Sequence, residues 1–406
     1  MGYIHRHMED TIARFRSEFP AILLTGARQT GKTTLLKNIT AKEHIKSISF
    51  DDPSEEMSAK SDPRTFLMLH PAPYMYDEVQ YVPDLFRYIK MAIDQDRHPG
   101  MFFLTGSQQF KLHEEAAESL AGRVGILSLY GLSAREVRKD SFHQPFLPTM
   151  EYIANRHSAN IEAADVWETI YLGSYPEVAL GHVSRNDFYE NYIKTYVERD
   201  IRLLTQVADE LMFIQFIRTV AARTGALLNY ADIAKDIGIS EVTAKKWLSL
   251  LVSSGLVYLL HPFSQNVEKR VVKTPKLYFM DTGLAAYLTG WSSPAVIRDG
   301  AMSGSFFETY VVGEIVKSFA NAGLTPPLYF YRDKDKIEID LIIYADNTIY
   351  PIEIKKRATP DKNDAKNLRI TERITGAQSE NGLIICNCDA PVAVKKGVLA
   401  VPVGYI

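Results

Sequence analysis

Cysteine is almost absent: the 406 residues contain two, Cys386 and Cys388. That scarcity excludes a disulfide framework and a four-cysteine zinc site, and it fits a reducing compartment. The two lie on alternating positions of an apolar run, and no histidine pair accompanies them. They therefore read as small core or surface residues rather than metal ligands. Long hydrophobic runs are missing too, since none approaches the roughly 18 to 20 apolar residues a membrane span needs. His5, Arg6, His7, Glu9 and Asp10 stand where a secretory signal requires an apolar core. A soluble, cytoplasmic protein without a membrane partner is expected. Charge of one sign is also lacking, with 46 Lys plus Arg against 49 Asp plus Glu and a net charge of −3. Any nucleic-acid contact must then come from a local basic patch.

Hydrophobic residues make up 46% and charged residues 23%, the proportions of a globular protein with sizeable cores. At roughly 150 residues per domain, the length implies two or three domains. No internal repeat or low-complexity tract occurs. The opening segment, Tyr3 to Phe19, spaces Ile4, Met8, Ile12, Phe15 and Phe19 by three and four, as an amphipathic helix does. Short apolar runs follow at Ala21 to Thr25, Ile45 to Phe50, Tyr74 to Tyr76, Met101 to Thr105 and Gly125 to Leu129, with helical or polar stretches between them. Such alternation implies parallel crossovers and a doubly wound α/β sheet.

Gly26-Ala27-Arg28-Gln29-Thr30-Gly31-Lys32-Thr33 matches G-x-x-x-x-G-K-[ST] in full, between a strand and a helix. Glycines let consecutive backbone N–H groups and the helix N-terminus wrap a phosphate. Lys32 then reaches the β- and γ-phosphates, Thr33 ligates Mg²⁺, and Thr34 is in reach of the α-phosphate. Tyr74-Met75-Tyr76-Asp77-Glu78 is an apolar strand ending in two carboxylates, Asp77 for Mg²⁺ and Glu78 for polarising the attacking water. The strand ending at Thr105-Gly106-Ser107-Gln108 points to the same crevice, so Ser107 or Gln108 is a candidate contact for the γ-phosphate or its water. No Asn-Lys-x-Asp guanine-reading sequence occurs, which leaves adenine, and hence ATP, as the default.

Together with Phe50-Asp51-Asp52-Pro53, Asp77-Glu78-Val79-Gln80, Ser119-Leu120-Ala121-Gly122-Arg123, Gly173-Ser174-Tyr175-Pro176 and Tyr196-Val197-Glu198-Arg199-Asp200, these motifs resemble the prokaryotic AAA-type P-loop ATPases that carry a C-terminal nuclease-like domain of unknown role. The resemblance implies that Arg123 reaches a neighbour's γ-phosphate, which requires a homo-oligomer. It leaves two readings of Arg199: sensing nucleotide from a lid, or pairing with Glu198 and Asp200.

Tyr230 to Ile237 reads as a helix, Gly238-Ile239 as a turn and Ser240 as the N-cap of a second helix, Glu241 to Val252. Val242, Leu248, Leu251 and Val252 are expected inward, Lys245, Lys246 and Ser249 outward. Strand-like pieces at Leu256 to Leu260 and Arg270 to Val272 suggest a winged helix. Its six basic residues (Lys235, Lys245, Lys246, Lys269, Arg270, Lys273) against four acidic ones (Asp232, Asp236, Glu241, Glu268) leave both DNA contact and an internal or protein contact open.

The C-terminal portion begins with a helix, Phe306 to Phe319, and continues with strands at Leu328 to Tyr331, Ile337 to Tyr344, Thr348 to Lys355 and Gly382 to Cys386. Alternation puts Glu353 and Lys355 on one strand face, and Asp340 opens the paired strand, so two carboxylates and a lysine converge. This is similar to the PD-(D/E)xK nuclease core, with Asp340, Glu353 and Lys355 as its signature and Glu308 as an additional helix acid. Ile339 stands where the proline–aspartate pair would have its proline. The resemblance implies Mg²⁺ held by Glu308, Asp340 and Glu353.

The expected architecture is thus a P-loop NTPase parallel sheet over 1–135, a helical lid or connector over 136–207, a winged helix over 208–280 and a smaller restriction-endonuclease-like α/β domain over 281–406. The expected function is a Mg²⁺-dependent, AAA-type ATPase coupled to a nuclease-like, DNA-binding domain. The alternative is an ATP-gated switch that holds DNA or protein without cutting it.

Overall fold

The computed structural model describes residues 3–107, 119–159, 165–196, 210–264, 274–333, 335, 337–368, 378–379 and 382–406. It divides into two compact units: Met1–Gln144 with Ser253–Leu256 and Phe319–Leu324, and the remainder.

The first unit is built on five parallel strands, β1 (Ala21–Thr25), β2 (Lys46–Ser49), β3 (Tyr74–Asp77), β4 (Phe102–Gly106) and β5 (Val124–Ser128), in the order β2-β3-β4-β1-β5. Strands buried on both faces read as unbroken apolar runs, as β1 does. Its residues point alternately to two layers. Ile22 and Leu24 pack with Met8 and Ile12 of α1 (Met8–Glu18) and with Leu35 and Leu36 of α2 (Lys32–Ala41). Ala21 and Leu23 join Tyr76, Phe102 and Leu104 under Phe86, Ile89 and Ile93 of α5 (Leu85–Gln95). Between β2 and β3, α3 (Pro53–Ser61) and α4 (Pro63–Leu69) each start with proline behind a capping aspartate, Asp52 and Asp62. The first helix is shorter than its apolar spacing suggests. Residues 3–6 precede it in non-helical backbone, because Arg6 and His7 are committed to buried polar contacts.

The second unit opens with helices at Met150–Ser158, Val166–Leu172, Pro176–Ala179 and Arg185–Tyr196. The expected continuation of the last one to Leu204 lies outside the described residues. Helices Glu210–Ala221, Tyr230–Ile237 and Glu241–Ser253 then pack with a small antiparallel sheet, β6 (Ala226–Leu227), β7 (Val257–Leu260) and β8 (Lys276–Phe279), in the order β6-β8-β7. Gly238 takes the left-handed conformation (φ +82°) that ends the middle helix. The Ser240 hydroxyl accepts from Thr243 N–H at the start of the next.

One inward assignment fails. Val242 is 77% exposed, and Ala244, Trp247, Leu248 and Leu251 form the buried stripe. At about 100° per residue, position 242 sits some 200° from 244, on the opposite face. Val252 is half-buried. The strand expected at Arg270 to Val272 lies outside the described residues, as do Glu268, Lys269 and Lys273; β7 pairs with β8.

A 19-residue helix, Ser303–Asn321, precedes a mixed sheet in the order β14-β15-β13-β11-β10-β9. Its strands are β9 (Leu328–Arg332), β10 (Glu338–Ala345), β11 (Thr348–Lys355), β13 (Gly382–Cys386), β14 (Val392–Lys395) and β15 (Val398–Pro402), with β12 (Gln378–Ser379) beside β11. The last two long strands were not anticipated. Asp346 and Asn347, both at positive φ, close the β10–β11 hairpin in a two-residue turn. One face packs Ile342, Ile349, Ile384 and Ala400 against Ala365 and Leu368.

Candidate functional site

The phosphate loop joins the end of β1 to α2. Gly26 has no room for a side chain, because an added Cβ would lie 2.1 Å from the Leu129 carbonyl oxygen. Gly31 turns into α2 at φ +93°, a conformation glycine adopts without steric cost. Between them the Thr30 hydroxyl donates to Ala27 O at 2.9 Å and tightens the loop. Lys32 is 5% exposed and folds back, its Nζ donating to Gly26 O at 3.0 Å and Ala27 O at 2.9 Å. Arg28 is half-buried, and Gln29 and Thr34 are exposed.

Because β1, β3 and β4 run parallel, their C-terminal ends meet beside this loop. The Thr33 hydroxyl donates to Asp77 Oδ1 at 2.7 Å, Thr105 donates to the same oxygen, and Ser49 donates to Oδ2 at 3.2 Å. Two oxygen donors thus adjoin at the foot of the loop, a set that suits Mg²⁺ completed by phosphate and water. Glu78 follows in left-handed backbone (φ +57°), which its N–H bond to Thr105 Oγ1 supports. Its carboxylate accepts from Gln80 Nε2 and, at 3.3 Å, from Ser107 Oγ. Gln80 is buried, and among the described residues its Oε1 has no hydrogen-bond partner. Lys32, Thr33, Asp77, Glu78 and Ser107 therefore gather at the strand ends. Gln108 and Arg199 lie outside the described residues. Arg123 stands at the start of β5, the opposite end of the sheet, with Nε on Asp94 at 2.6 Å and Nη1 on Ala121 O at 3.0 Å.

The sequence assigned no role to Ser49, nor to Thr105 and Gln80 although both stand in its motifs, nor to a buried brace behind the loop. Arg6 donates to Thr30 O at 2.9 Å, to Tyr130 O at 2.9 Å and to Glu136 Oε1 at 2.9 Å. Burial alone would raise the Glu136 carboxyl. The Arg6 charge and the N–H groups of Ser133 and His7 hold it below its ordinary value. Neither Arg6 nor Glu136 lies in a motif, and they are 130 residues apart.

A second polar cluster lies in the C-terminal sheet. Lys355 Nζ donates to Asp340 Oδ2 at 3.2 Å and Glu353 Oε2 at 2.7 Å, and Ile354 N–H donates to Asp340 Oδ2 at 2.9 Å. Asp340, Glu353 and Lys355 meet as the strand alternation implies. Glu308 instead accepts from Lys276 Nζ at 3.0 Å and Tyr278 OH at 2.6 Å. Lys276 also reaches Glu338 at 2.6 Å. Lys276, Tyr278 and Glu338 were not anticipated, since β8 carries no motif. Burial and the neighbouring Asp340 push Glu353 up to about 8. Burial would raise Asp340 as well, but Lys355 and Lys276 hold it below its ordinary value. Among the described residues, no three acidic, histidine or cysteine side chains gather to hold an ion. The carboxylates are committed to the protein's own donors, so Glu308, Asp340 and Glu353 do not fit a divalent ion in this arrangement.

Residues 18–138 match the family described as AAA domain. Residues 163–295 and 303–406 match two domains of unknown function, DUF8612 and DUF4143. The uncharacterized protein Rv2008c of Mycobacterium tuberculosis is 28% identical over 360 residues, 86% of this chain and 74% of that protein. The uncharacterized protein Mb2031c of Mycobacterium bovis matches to the same extent. Among solved structures, the Walker-type ATPase PABY2304 of Pyrococcus abyssi overlaps 69% of this chain and 94% of its own at 15% identity, with a TM-score of 0.43. The RuvB Holliday junction branch migration motor of Thermotoga maritima overlaps 63% and 89% at 16% identity, with a TM-score of 0.30. The stretch that carries Lys32, Asp77 and Glu78 is thus similar to AAA domains. No helix among the described residues is long and apolar enough to cross a membrane.

Proposed function

We propose that the chain is a Mg²⁺-dependent ATP hydrolase of AAA type. The observation that carries this reading is the Thr33–Asp77 hydrogen bond beside Lys32, with Glu78 next in line at the end of β3. Lys32 leaves the loop carbonyls to neutralise the β- and γ-phosphates, while the loop N–H groups and the α2 N-terminus bind phosphate oxygens. Thr33 and Asp77 would hold Mg²⁺, which screens phosphate charge when bound. Glu78 orients the attacking water and takes its proton, and Ser107 holds the Glu78 carboxylate and contacts the γ-phosphate side. Lys32→Ala is expected to abolish nucleotide binding. Glu78→Gln should keep binding and lose about 10²- to 10⁴-fold in turnover, the usual share of a general base. Unchanged turnover in the Glu78 variant would remove the base assignment.

The helices Tyr230–Ile237 and Glu241–Ser253 with the β6-β8-β7 sheet support a winged-helix reading, with exposed Lys245 and Lys246 toward DNA. The Asp340–Lys355–Glu353 contacts support a PD-(D/E)xK-like, restriction-endonuclease-like arrangement. Neutralisation of its carboxylates by lysine favours the second reading, an ATP-gated hold on DNA or protein without cleavage. Arg123 keeps its proposed role toward a neighbour's γ-phosphate only in a homo-oligomer, which light scattering with and without ATP tests.

A further inference from the structure

Gln80 is a polar residue where the packing favours an apolar one. It is 4% exposed and stands between Val79 and Val82, which lie in the core with Phe102 and Leu104. Among the described residues its Oε1 finds no hydrogen-bond partner, so a methionine or leucine there would cost less to bury. The other end of the amide explains the choice. Its Nε2 donates to Glu78 Oε2 and lies 3.5 Å from Ser107 Oγ. Only the NH₂ end of the amide can face a carboxylate, which fixes its orientation. The backbone is shaped for this contact. Glu78 leaves β3 in the left-handed conformation, and a single 3₁₀ turn, Val79–Tyr81, brings Gln80 back beside the Glu78 carboxylate.

We propose that Gln80 is a positioning residue for ATP hydrolysis, holding Glu78 by its Oε2 so that Oε1 is presented to the attacking water. This rests on the reading of Glu78 as the general base. Ser107 also donates to Oε2, at 3.3 Å, but the same hydroxyl is assigned to the γ-phosphate side. A hold that persists once nucleotide is bound must then come from Gln80, whose side chain is buried. Both donors reach the same carboxylate oxygen, which leaves the other to accept the water proton along a fixed direction. A group misplaced by about 1 Å can lose about 10²-fold in rate. Position 80 thus gives up favourable packing for alignment of the base.

The test measures steady-state ATP hydrolysis by the full chain, with affinity for a fluorescent ATP analogue and thermal unfolding recorded beside it. Gln80→Met keeps the length of the side chain and removes both the Nε2 donor and the Oε1 acceptor. It should lower kcat by about 10- to 100-fold, while KM and analogue affinity stay parental and the melting temperature does not fall. In a Glu78→Gln background the same substitution should change turnover by less than about twofold, because a residue that acts through Glu78 has nothing left to position. If Gln80→Met fails to fold, Gln80→Leu carries the same measurements; failure of both to fold marks a structural role and overturns the proposal. So does a parental kcat in the Gln80 variant, a lowered melting temperature, or the same fold loss with and without the Glu78 carboxylate, and in each case an impaired Glu78→Gln leaves the base reading intact. Parental turnover in Glu78→Gln would overturn the base reading and the role of Gln80 together.

Discussion

Arg6 shows how much a phosphate loop can depend on a side chain far from it in sequence. Its guanidinium fork spans Thr30 O, Tyr130 O and the Glu136 carboxylate, which a lysine point charge cannot do at once. Arg6→Ala leaves Glu136 buried without its counter-charge and is expected to cost about 3–5 kcal/mol in denaturant unfolding. Arg6→Lys should recover part of that stability yet still bind a fluorescent ATP analogue more weakly than the parent. Equal affinity in the two would show that the fork does not position the loop. Next to Arg6, His7 is buried, with Nε2 bonded to Asp140 O at 2.7 Å. Burial lowers its pKa below the ordinary value, more than nearby Glu136 offsets. The unfolded chain, titrating near pH 6.5, then binds protons that the folded one resists. Stability is complete above that pH and falls as pH drops toward the lower folded value. Between about pH 7.5 and pH 5.5 the parent should lose more melting temperature than His7→Asn; matching losses would remove His7 as the source.

Among the elements, those whose local chemistry matches their packing were legible. The strands β1, β3 and β4 could be read because parallel strands buried on both sides are continuous apolar runs, and α2 because a glycine loop precedes it, whereas β2, with Lys46, Ser47, Ile48 and Ser49, is exposed to half-buried. The Asp340, Glu353 and Lys355 contact followed from period-two alternation across a hairpin. Lys276 and Arg6 were illegible for the opposite reason: each acts on partners supplied by other elements, and nothing in the flanking residues marks them. Val242 was misassigned because its type was weighed over its helical phase. The loop glycine makes a prediction at this scale. A methyl group at Gly26 would collide with Leu129 O, which lies 2.1 Å from an ideal Cβ. Gly26→Ala should therefore displace the loop, weakening nucleotide binding while far-UV circular dichroism stays unchanged. An alanine variant with parental affinity would show that the backbone can yield there.

For the molecule as a whole, a net charge of −3 supplies no general attraction for nucleic acid. Any DNA binding must be carried by few lysines and be correspondingly sensitive to each. Removing Lys245 and Lys246 together should reduce the salt dependence of binding by about two in slope, roughly one per phosphate contact. Plasmid and linear DNA incubated with Mg²⁺ or Mn²⁺, with and without ATP, should be bound but not cut. Cleavage that disappears in Asp340→Ala and Lys355→Ala would instead establish the C-terminal site as a nuclease.

The burial of Arg6, Tyr405 and Ile406 has a practical side. Arg6 is packed behind the phosphate loop, while Tyr405 O accepts from Tyr152 OH at 3.1 Å and Arg156 Nε at 3.2 Å, and Ile406 is buried. A label placed on Tyr405 or Ile406 would compete with these contacts. The exposed Asp346–Asn347 turn, whose side chains face water at the tip of a hairpin, is the better place to attach a reporter.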